Sequence, residues 1–309
     1  MPEVVDFLVG PTASGKTRAG VLVAETLGAE VVSLDSMAVY RGMDIGTAKP
    51  SAEERARVPF HLIDVCDQTE EFSAADYLRL AAVAVAEIHT RGRPVLFVGG
   101  TPLYLKLLLE GVFRGPRADW EFRRALRARA QQEGTEALHQ ELTRVDPEAA
   151  RRLHPNDLRR IERALEVYHR TGRPLSQLRR ENQVVVAGPK RLVGLCRART
   201  DLYRRIDERV ERMWVAGFAE EVRRLAERGF SRSASQALGY REVLRHLAGE
   251  LTLAEARELT QRHTRQFAKR QLTWFRSLPN ISWVDVAPED PPEALAERVI
   301  KALAPMAPG

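Results

Sequence analysis

The residues with the clearest chemical content are Gly10-Pro11-Thr12-Ala13-Ser14-Gly15-Lys16-Thr17, which fill every fixed position of the G-x-x-x-x-G-K-[ST] pattern. Glycines let such a loop wrap closely around a phosphate. Successive backbone N–H groups and the start of a following helix offer it partial positive charge. Lys16 adds a full charge, and the Thr17 hydroxyl is suited to holding Mg²⁺. The motif selects a phosphate compound without saying which. NTP-hydrolysing P-loop proteins usually carry an Asp after an apolar strand to help hold the metal. Here the obvious strand, residues 95–98, runs into Gly99-Gly100-Thr101, which argues against ordinary NTP hydrolysis.

Asp35 follows a second apolar run, residues 30–34. A carboxylate at that place faces the phosphate pocket and can hold Mg²⁺ or accept a proton from a nucleophile. A turn or helix-cap role is the commoner fate of such an Asp, and on its own residues the choice stays open.

These groups need a scaffold. Residues 4–9 read as a buried strand ending at Gly10, and residues 16–27 as a helix stopped by Gly28. Residues 30–34, 60–65 and 95–98 read as further strands. Ser73 and Asp76 form a capping-box signature for a helix reaching Thr90, and another helix starts near Pro102. Alternating strands and helices imply a parallel sheet, with sites at the carboxyl ends of its strands. Gly10, Asp35 and Thr101 each sit directly after a strand end. The pattern changes near Gly115-Pro116: residues 119–183 are helical, polar and arginine-rich, and strands return at 191–195 and 281–286. The expected fold is α/β, a P-loop NTPase-like parallel-sheet core (1–116 and 189–309) with a helical insertion domain (117–188).

Composition supports a globular chain: 309 residues, 44% hydrophobic and ordinary in Gly and Pro. The net charge of +6 favours a polyanionic partner, weakly, because only six of the 48 basic residues are Lys and the Arg bias is partly compositional. Cys66 and Cys196 stand alone, so neither a disulfide framework nor a zinc site is expected. Pro2, Glu3 and Asp6 interrupt the N-terminus and no long uncharged apolar stretch exists. The expectation is an untargeted cytoplasmic protein with no membrane partner.

Where the basic residues sit says more. Residues 151–180 hold nine Arg against three acidic residues. Residues 262–276 carry Arg262, Arg265, Lys269, Arg270 and Arg276 with no acid. On a helix, 262, 265, 269 and 276 lie within about 60° of one another. Phe267, Trp274 and Leu278 are expected on the packed side. Such a stripe suits a phosphate backbone, although a solvated face is the commoner explanation for one alone. Tyr40, Phe113 and Tyr240 are candidates for stacking on bases.

Several blocks together resemble the tRNA dimethylallyltransferase (tRNA isopentenyltransferase) family. They are residues 10–17; the long run Asp35-Ser36-Met37-Ala38-Val39-Tyr40-Arg41-Gly42-Met43-Asp44-Ile45-Gly46-Thr47-Ala48-Lys49-Pro50; Gly99-Gly100-Thr101-Pro102-Leu103-Tyr104; His154-Pro155-Asn156-Asp157; Gly239-Tyr240-Arg241; and Lys269-Arg270-Gln271-Leu272-Thr273-Trp274. The blocks fall in order over nearly the whole chain, and the run from Asp35 to Pro50 is the most specific.

The resemblance implies transfer of a dimethylallyl group from dimethylallyl diphosphate to N6 of adenine 37, next to the anticodon of tRNA. It makes Asp35 the general base, with Thr101 and Arg209 at the reaction centre. Residues 10–17 hold the diphosphate, with Mg²⁺ at Thr17. The inserted helices are implied to clasp the anticodon stem-loop. Implied tRNA contacts are Asp35, Ser36, Met37, Ala38, Thr101, Arg123, Arg159, Arg160, Ile161, Glu162, Arg163, Gln236, Gly239, Tyr240, Arg262, Arg265, Lys269 and Arg270. A monomer is expected. Many relatives carry Gln at the position of Ala38 and Arg at that of Gln236; both departures bear on tRNA contact, not on the reaction. The competing readings are an enzyme prenylating free adenine nucleotides, a small-molecule kinase using ATP in the same loop, and a non-enzymatic nucleotide-dependent RNA binder.

Overall fold

The computed structural model describes residues 4–113 and 115–304. In chain order the elements are β1 (Val5–Val9), α1 (Lys16–Leu27), β2 (Glu30–Leu34), α2 (Ala52–Arg57), β3 (Phe60–His61), α3 (Ala74–Thr90), β4 (Val95–Gly99), α4 (Pro102–Glu110), α5 (Trp120–Glu133), α6 (Thr135–Val145), α7 (Pro147–Arg152), α8 (Leu158–Thr171), α9 (Leu175–Arg179), β5 (Lys190–Arg197), α10 (Arg199–Val215), α11 (Phe218–Ala226), α12 (Tyr240–Leu247), α13 (Leu253–Arg276), β6 (Ile281–Val286) and α14 (Pro292–Leu303). No helix among the described residues is long and apolar enough to cross a membrane.

The chain divides into two compact units, 1–109 with 186–309, and 110–185. The first is an α/β unit with a six-stranded sheet in the order β3-β2-β4-β1-β5-β6, every pairing parallel. β1, β2 and β4 are buried at every position, which is why they read as continuous apolar runs and not as alternating ones. The one charge inside β1, Asp6, is held by Nε and Nη2 of Arg191 on β5, at 2.6 and 2.7 Å. A buried carboxylate is tolerable only with such a partner. Gly28 ends α1 in the left-handed region at φ +63°, and the Ser73–Asp76 capping box opens α3.

The strand expected over 60–65 stops at His61. Leu62 and Asp64 adopt left-handed backbone, φ +62° and +58°. The resulting bend turns the Asp64 carboxylate onto Lys49 at 2.5 Å and Arg55 at 2.7 Å. β5 extends beyond the expected 191–195 at both ends.

The second unit is helical. Its core gathers Leu126, Leu138, Leu142, Ile161, Leu165, Val167 and Leu178 from α5, α6, α8 and α9. Its two ends meet in an antiparallel bridge: Val112 N bonds Gln183 O at 3.1 Å, and Gln183 N bonds Val112 O at 3.0 Å. The unit therefore starts at 110 and ends at 185, where the sequence pattern placed 117 and 188.

Candidate active site

The glycine-rich loop between β1 and α1 is held by its backbone. Ser14 N bonds Pro11 O at 3.2 Å, Ala13 takes φ +63°, and Gly15 takes φ +97° as the N-cap of α1. Two arginines grip the loop's outward carbonyls. Arg197, at the end of β5, donates Nε to Ser14 O at 3.0 Å, and Arg205 on α10 donates Nε to Ala13 O at 3.1 Å. The buried Arg197 is neutralised by Asp201 at 2.8 Å. Ser14 Oγ is fully buried with no partner among the described residues.

β2 and β4 end side by side. Gly99 allows this: a Cβ there would stand 2.2 Å from Leu34 O. The amides of Gly100 and Thr101 both donate to Leu34 O at 3.1 Å. Thr101 Oγ1 accepts Ser36 N at 3.0 Å. Asp35 Oδ1 accepts Met37 N at 2.8 Å and Ala38 N at 3.3 Å, while Oδ2 accepts no bond among the described residues. The two readings of Asp35 are thus compatible: one oxygen caps a turn, and the residue also lines the cavity.

That cavity has a volume of about 360 Å³. Thr12, Lys16, Thr17, Asp35, Thr101 and Arg209 form its polar side, and Val98, Val210, Met213, Leu238 and Phe267 supply apolar wall. Burial pushes Lys16 down from 10.5 to about 8; Asp35 partly offsets this and Arg209 adds to it. Arg209 is likewise lowered, chiefly by burial, with Asp35 opposing. Its Nη2 donates to Thr47 O at 3.4 Å. Two half-buried cations share the cavity with one carboxylate, so it favours an anionic ligand with an apolar portion.

The loop 36–50 closes one side, and its shape comes from α11. The buried Glu221 carboxylate accepts three successive amides, Asp44 N (3.1 Å), Ile45 N (2.8 Å) and Gly46 N (3.2 Å), and also the Tyr240 hydroxyl at 2.5 Å. Lys49 is buried on Tyr40 O (2.6 Å), Asp44 (2.7 Å) and Asp64 (2.5 Å).

Of the candidate tRNA contacts, Ser36, Met37, Ala38, Thr101, Gln236 and Arg270 line the cavity with Asp35. Gly239, at φ +86°, caps α12 and donates its amide to Glu242 at 2.8 Å. Tyr240 and Tyr40 are core residues, 0% and 1% exposed, so neither ring is free to stack on a base. Tyr240 lies edge-on to Phe218, and Phe113 packs on the core of the helical unit. On α13, Arg262, Lys269 and Arg270 are exposed, whereas Arg265 is bonded to Asp207 on α10. The buried side of α13 is Ala256, Thr260, Ala268, Gln271 and Phe275, offset from the expected 267, 274 and 278: Phe267 lines the cavity, and residue 278 lies past the helix end at Arg276.

In the helical unit the expected contact run 159–163 splits. Arg159 and Arg160 are exposed. Ile161 and Glu162 are buried, at 0% and 1% exposure. Glu162 takes Arg127 at 2.6 Å, while Glu166 takes Arg123 at 2.7 Å and also Arg163. Ile161, Arg123, Glu162 and Arg163 therefore hold the unit together. Buried carboxylates one helical turn apart on α8 require cations beside them. Residue spacing gave no sign of Arg197, Arg205 or Glu221, whose partners in the two loops, Ser14, Ala13 and residues 44–46, are far away in the chain. Gln271 lay within a recognised block without an assigned task.

Comparison with known proteins places this geometry. The model of the IPP transferase family matches residues 38–278. The chain is 53% identical over 282 residues to the tRNA dimethylallyltransferase of Geobacter sulfurreducens, covering 90% of this chain and 91% of that one. It is 45% identical over 301 residues to that of Geobacillus thermodenitrificans, covering 97% and 95%. Among solved structures it matches the full-length tRNA isopentenylpyrophosphate transferase of Bacillus halodurans with a TM-score of 0.70 at 41% identity, covering 98% and 97%. It matches a eukaryotic dimethylallyltransferase acting on tRNA with a TM-score of 0.74 at 28% identity, covering 92% and 74%. With such matches along almost its whole length, the chain belongs to the IPP transferase family.

Proposed function

We propose that this chain transfers the dimethylallyl group of dimethylallyl diphosphate to N6 of adenine 37, next to the anticodon of tRNA, giving N6-dimethylallyladenosine. The observation that carries the reading is one cavity in which the glycine-rich loop, Lys16, Arg209, Thr101 and Asp35 meet an apolar wall. A diphosphate carrying a branched five-carbon group has that division of polar and apolar surface.

In the proposed reaction the bond from C1 to the diphosphate oxygen breaks while C1 bonds N6, and N6 loses a proton. Negative charge grows on the departing diphosphate. Loop amides, Lys16 and Arg209 are placed to stabilise it, and such preorganised groups act most strongly where charge develops. An exocyclic adenine amine is a weak nucleophile, so Asp35 accepts its proton through Oδ2 as attack proceeds. The base leaves its stack in the anticodon loop to reach the cavity. The helical unit 110–185 holds the anticodon stem-loop, with exposed Arg159 and Arg160 contacting its backbone.

Mg²⁺ fits this site on one condition. Among the described residues no three His, Cys, Asp or Glu side chains gather to hold a metal, so the ion needs oxygens of the diphosphate alongside Thr17. Mg²⁺ bound through few protein groups and a substrate phosphate is common, and Ser14 Oγ is a further buried oxygen in the loop. The ion would neutralise part of the leaving group's charge.

The test is to incubate the protein with radiolabelled dimethylallyl diphosphate and either tRNA or AMP. Label in tRNA is the expected result. Label in AMP alone would move the acceptor to free nucleotides, and, in a parallel incubation with ATP, turnover with a phosphorylated product would replace the reading with a kinase.

A further inference from the structure

Gln271 projects from α13 into the sheet's carboxyl edge and is 3% exposed. Its side-chain amide is used at both ends. Oε1 accepts the backbone amide of Thr12 at 2.9 Å, and Nε2 donates to Gly100 O at 2.5 Å. Thr12 belongs to the loop after β1, and Gly100 to the end of β4. A Cβ on Gly100 would stand 2.6 Å from Gln271 Nε2 and 3.0 Å from Gly10 O, so the three segments are in close contact. From Gly100 the path continues through Thr101, whose hydroxyl holds Ser36 N, to Asp35. One neutral amide thus joins the phosphate-type loop to the arm carrying the carboxylate and Thr101. No other residue of α13 is bonded to both loops among the described residues.

A buried carboxamide is tolerable when both ends are satisfied and costs stability when either is not. That explains why the site can hold an amide, not why it needs one. The geometry of the reaction supplies the reason. An allylic diphosphate whose C1–O bond is breaking is captured by whichever nucleophile stands in line, and small misplacements cost large factors in rate. Resting on the proposed transfer reaction, we infer that Gln271 is a positioning residue that sets the distance between the bound diphosphate and the Asp35–Thr101 arm. In this way it decides whether C1 is taken by the adenine amine or by water. In the productive event C1–O breaks, C1–N6 forms and the N6 proton leaves. In the wasteful event C1–O breaks, water oxygen bonds C1, one water proton is released, and the products are dimethylallyl alcohol and diphosphate.

The experiment uses the full chain, tRNA and radiolabelled dimethylallyl diphosphate, and counts label in tRNA and in alcohol separately. Gln271→Glu keeps size and an acceptor for Thr12 N but loses the donor to Gly100 O. Gln271→Met keeps approximate length and loses both bonds. The expected result is a rise of about tenfold in alcohol formed per transfer, with the tRNA KM changed little and kcat reduced. An unchanged alcohol-to-transfer ratio in variants whose kcat falls in parallel with their thermal stability overturns the inference, because a purely structural role predicts that. Should both variants fail to fold, hydrogen exchange at the Thr12 amide of the unmutated protein decides: protection supports the bridge and unprotected exchange overturns it. Absence of any label in tRNA with the unmutated protein overturns the proposed function itself, an outcome distinct from an unmoved ratio.

Discussion

The Thr101 hydroxyl accepts the backbone amide of Ser36 at 3.0 Å. This bond ties the turn carrying Asp35 to the end of β4, so the carboxylate is placed by a neighbouring strand as well as by its own. The position of Asp35 is therefore built into the sheet and does not depend on a free loop.

Asp35→Asn retains an oxygen for Met37 N and Ala38 N, so the turn should survive with a stability loss below about 1 kcal/mol. It cannot accept the proton. Single-turnover transfer at saturating tRNA and donor should slow by roughly 10² to 10⁴, about 3 to 5 kcal/mol of barrier, and excess Mg²⁺ should not restore it. A rate within a few-fold of the unmutated protein rules Asp35 out as the base.

Lys16 should make donor binding pH-dependent. Its pKa, about 8 against an ordinary 10.5, is depressed because burial disfavours the ammonium. A bound diphosphate favours the charged form, so binding should take up about half a proton at pH 8 and about one near pH 9, and affinity should weaken as pH rises through about 8. Calorimetry at pH 9 in two buffers of different ionisation enthalpy measures the uptake. The same depression acts oppositely on the free protein. Because the unfolded chain binds the proton more tightly, this group's contribution to stability increases as pH rises from about 8 to 10.5. Zero uptake at pH 9 would contradict a Lys16 of lowered pKa beside the phosphate.

Charge on α13 should be unequal in effect. Arg262 and Lys269 are exposed, whereas Arg265 is paired with Asp207. Replacing Arg262 and Lys269 by Ala should lower the slope of log affinity for tRNA against log salt by about 0.7 to 0.9 for each phosphate that is no longer neutralised. Arg265→Ala should change it less. Donor affinity should be unaffected in both variants. An identical slope in the Arg262/Lys269 double variant makes the stripe a solvated face.

Glu221→Gln should destabilise the fold by about 2 to 3 kcal/mol in urea unfolding, because three amides and a hydroxyl lose a charged acceptor. Tyr240→Phe should cost only about 1 kcal/mol, since one of Glu221's four bonds is removed. Equal losses in the two variants would mean that the carboxylate does not organise residues 44–46.

Features with local causes were legible in the sequence. The Gly10–Thr17 loop, the Gly28 stop and the Ser73–Asp76 capping box each depend on residues a few positions apart, and each stands where its pattern put it. Strand ends at Gly10, Asp35 and Thr101 were likewise readable, since parallel strands bring their carboxyl ends together. What could not be read was who supports whom across the fold. Glu221 acts on amides more than 170 residues earlier, and Gln271 on an amide 259 residues away. Nothing in local spacing marks such pairs. A helical wheel likewise separated the two sides of α13 but did not reveal that Asp207 would meet Arg265, or that Phe267 would turn to the cavity. The Arg123–Glu166 and Arg127–Glu162 pairs show the same limit: charge in a sequence looks like surface until its counter-charge is located.

The bridge between Val112 and Gln183 has a consequence for folding. The helical unit leaves and rejoins the chain at one point, its ends already joined by two backbone hydrogen bonds. To the α/β core it is a closed loop, and loop-closure entropy grows only with the logarithm of loop length. The long insertion therefore adds little to what a short turn between α4 and β5 would demand. Changes in the number or length of the inserted helices leave the sheet's own folding cost nearly untouched, provided the bridge is kept.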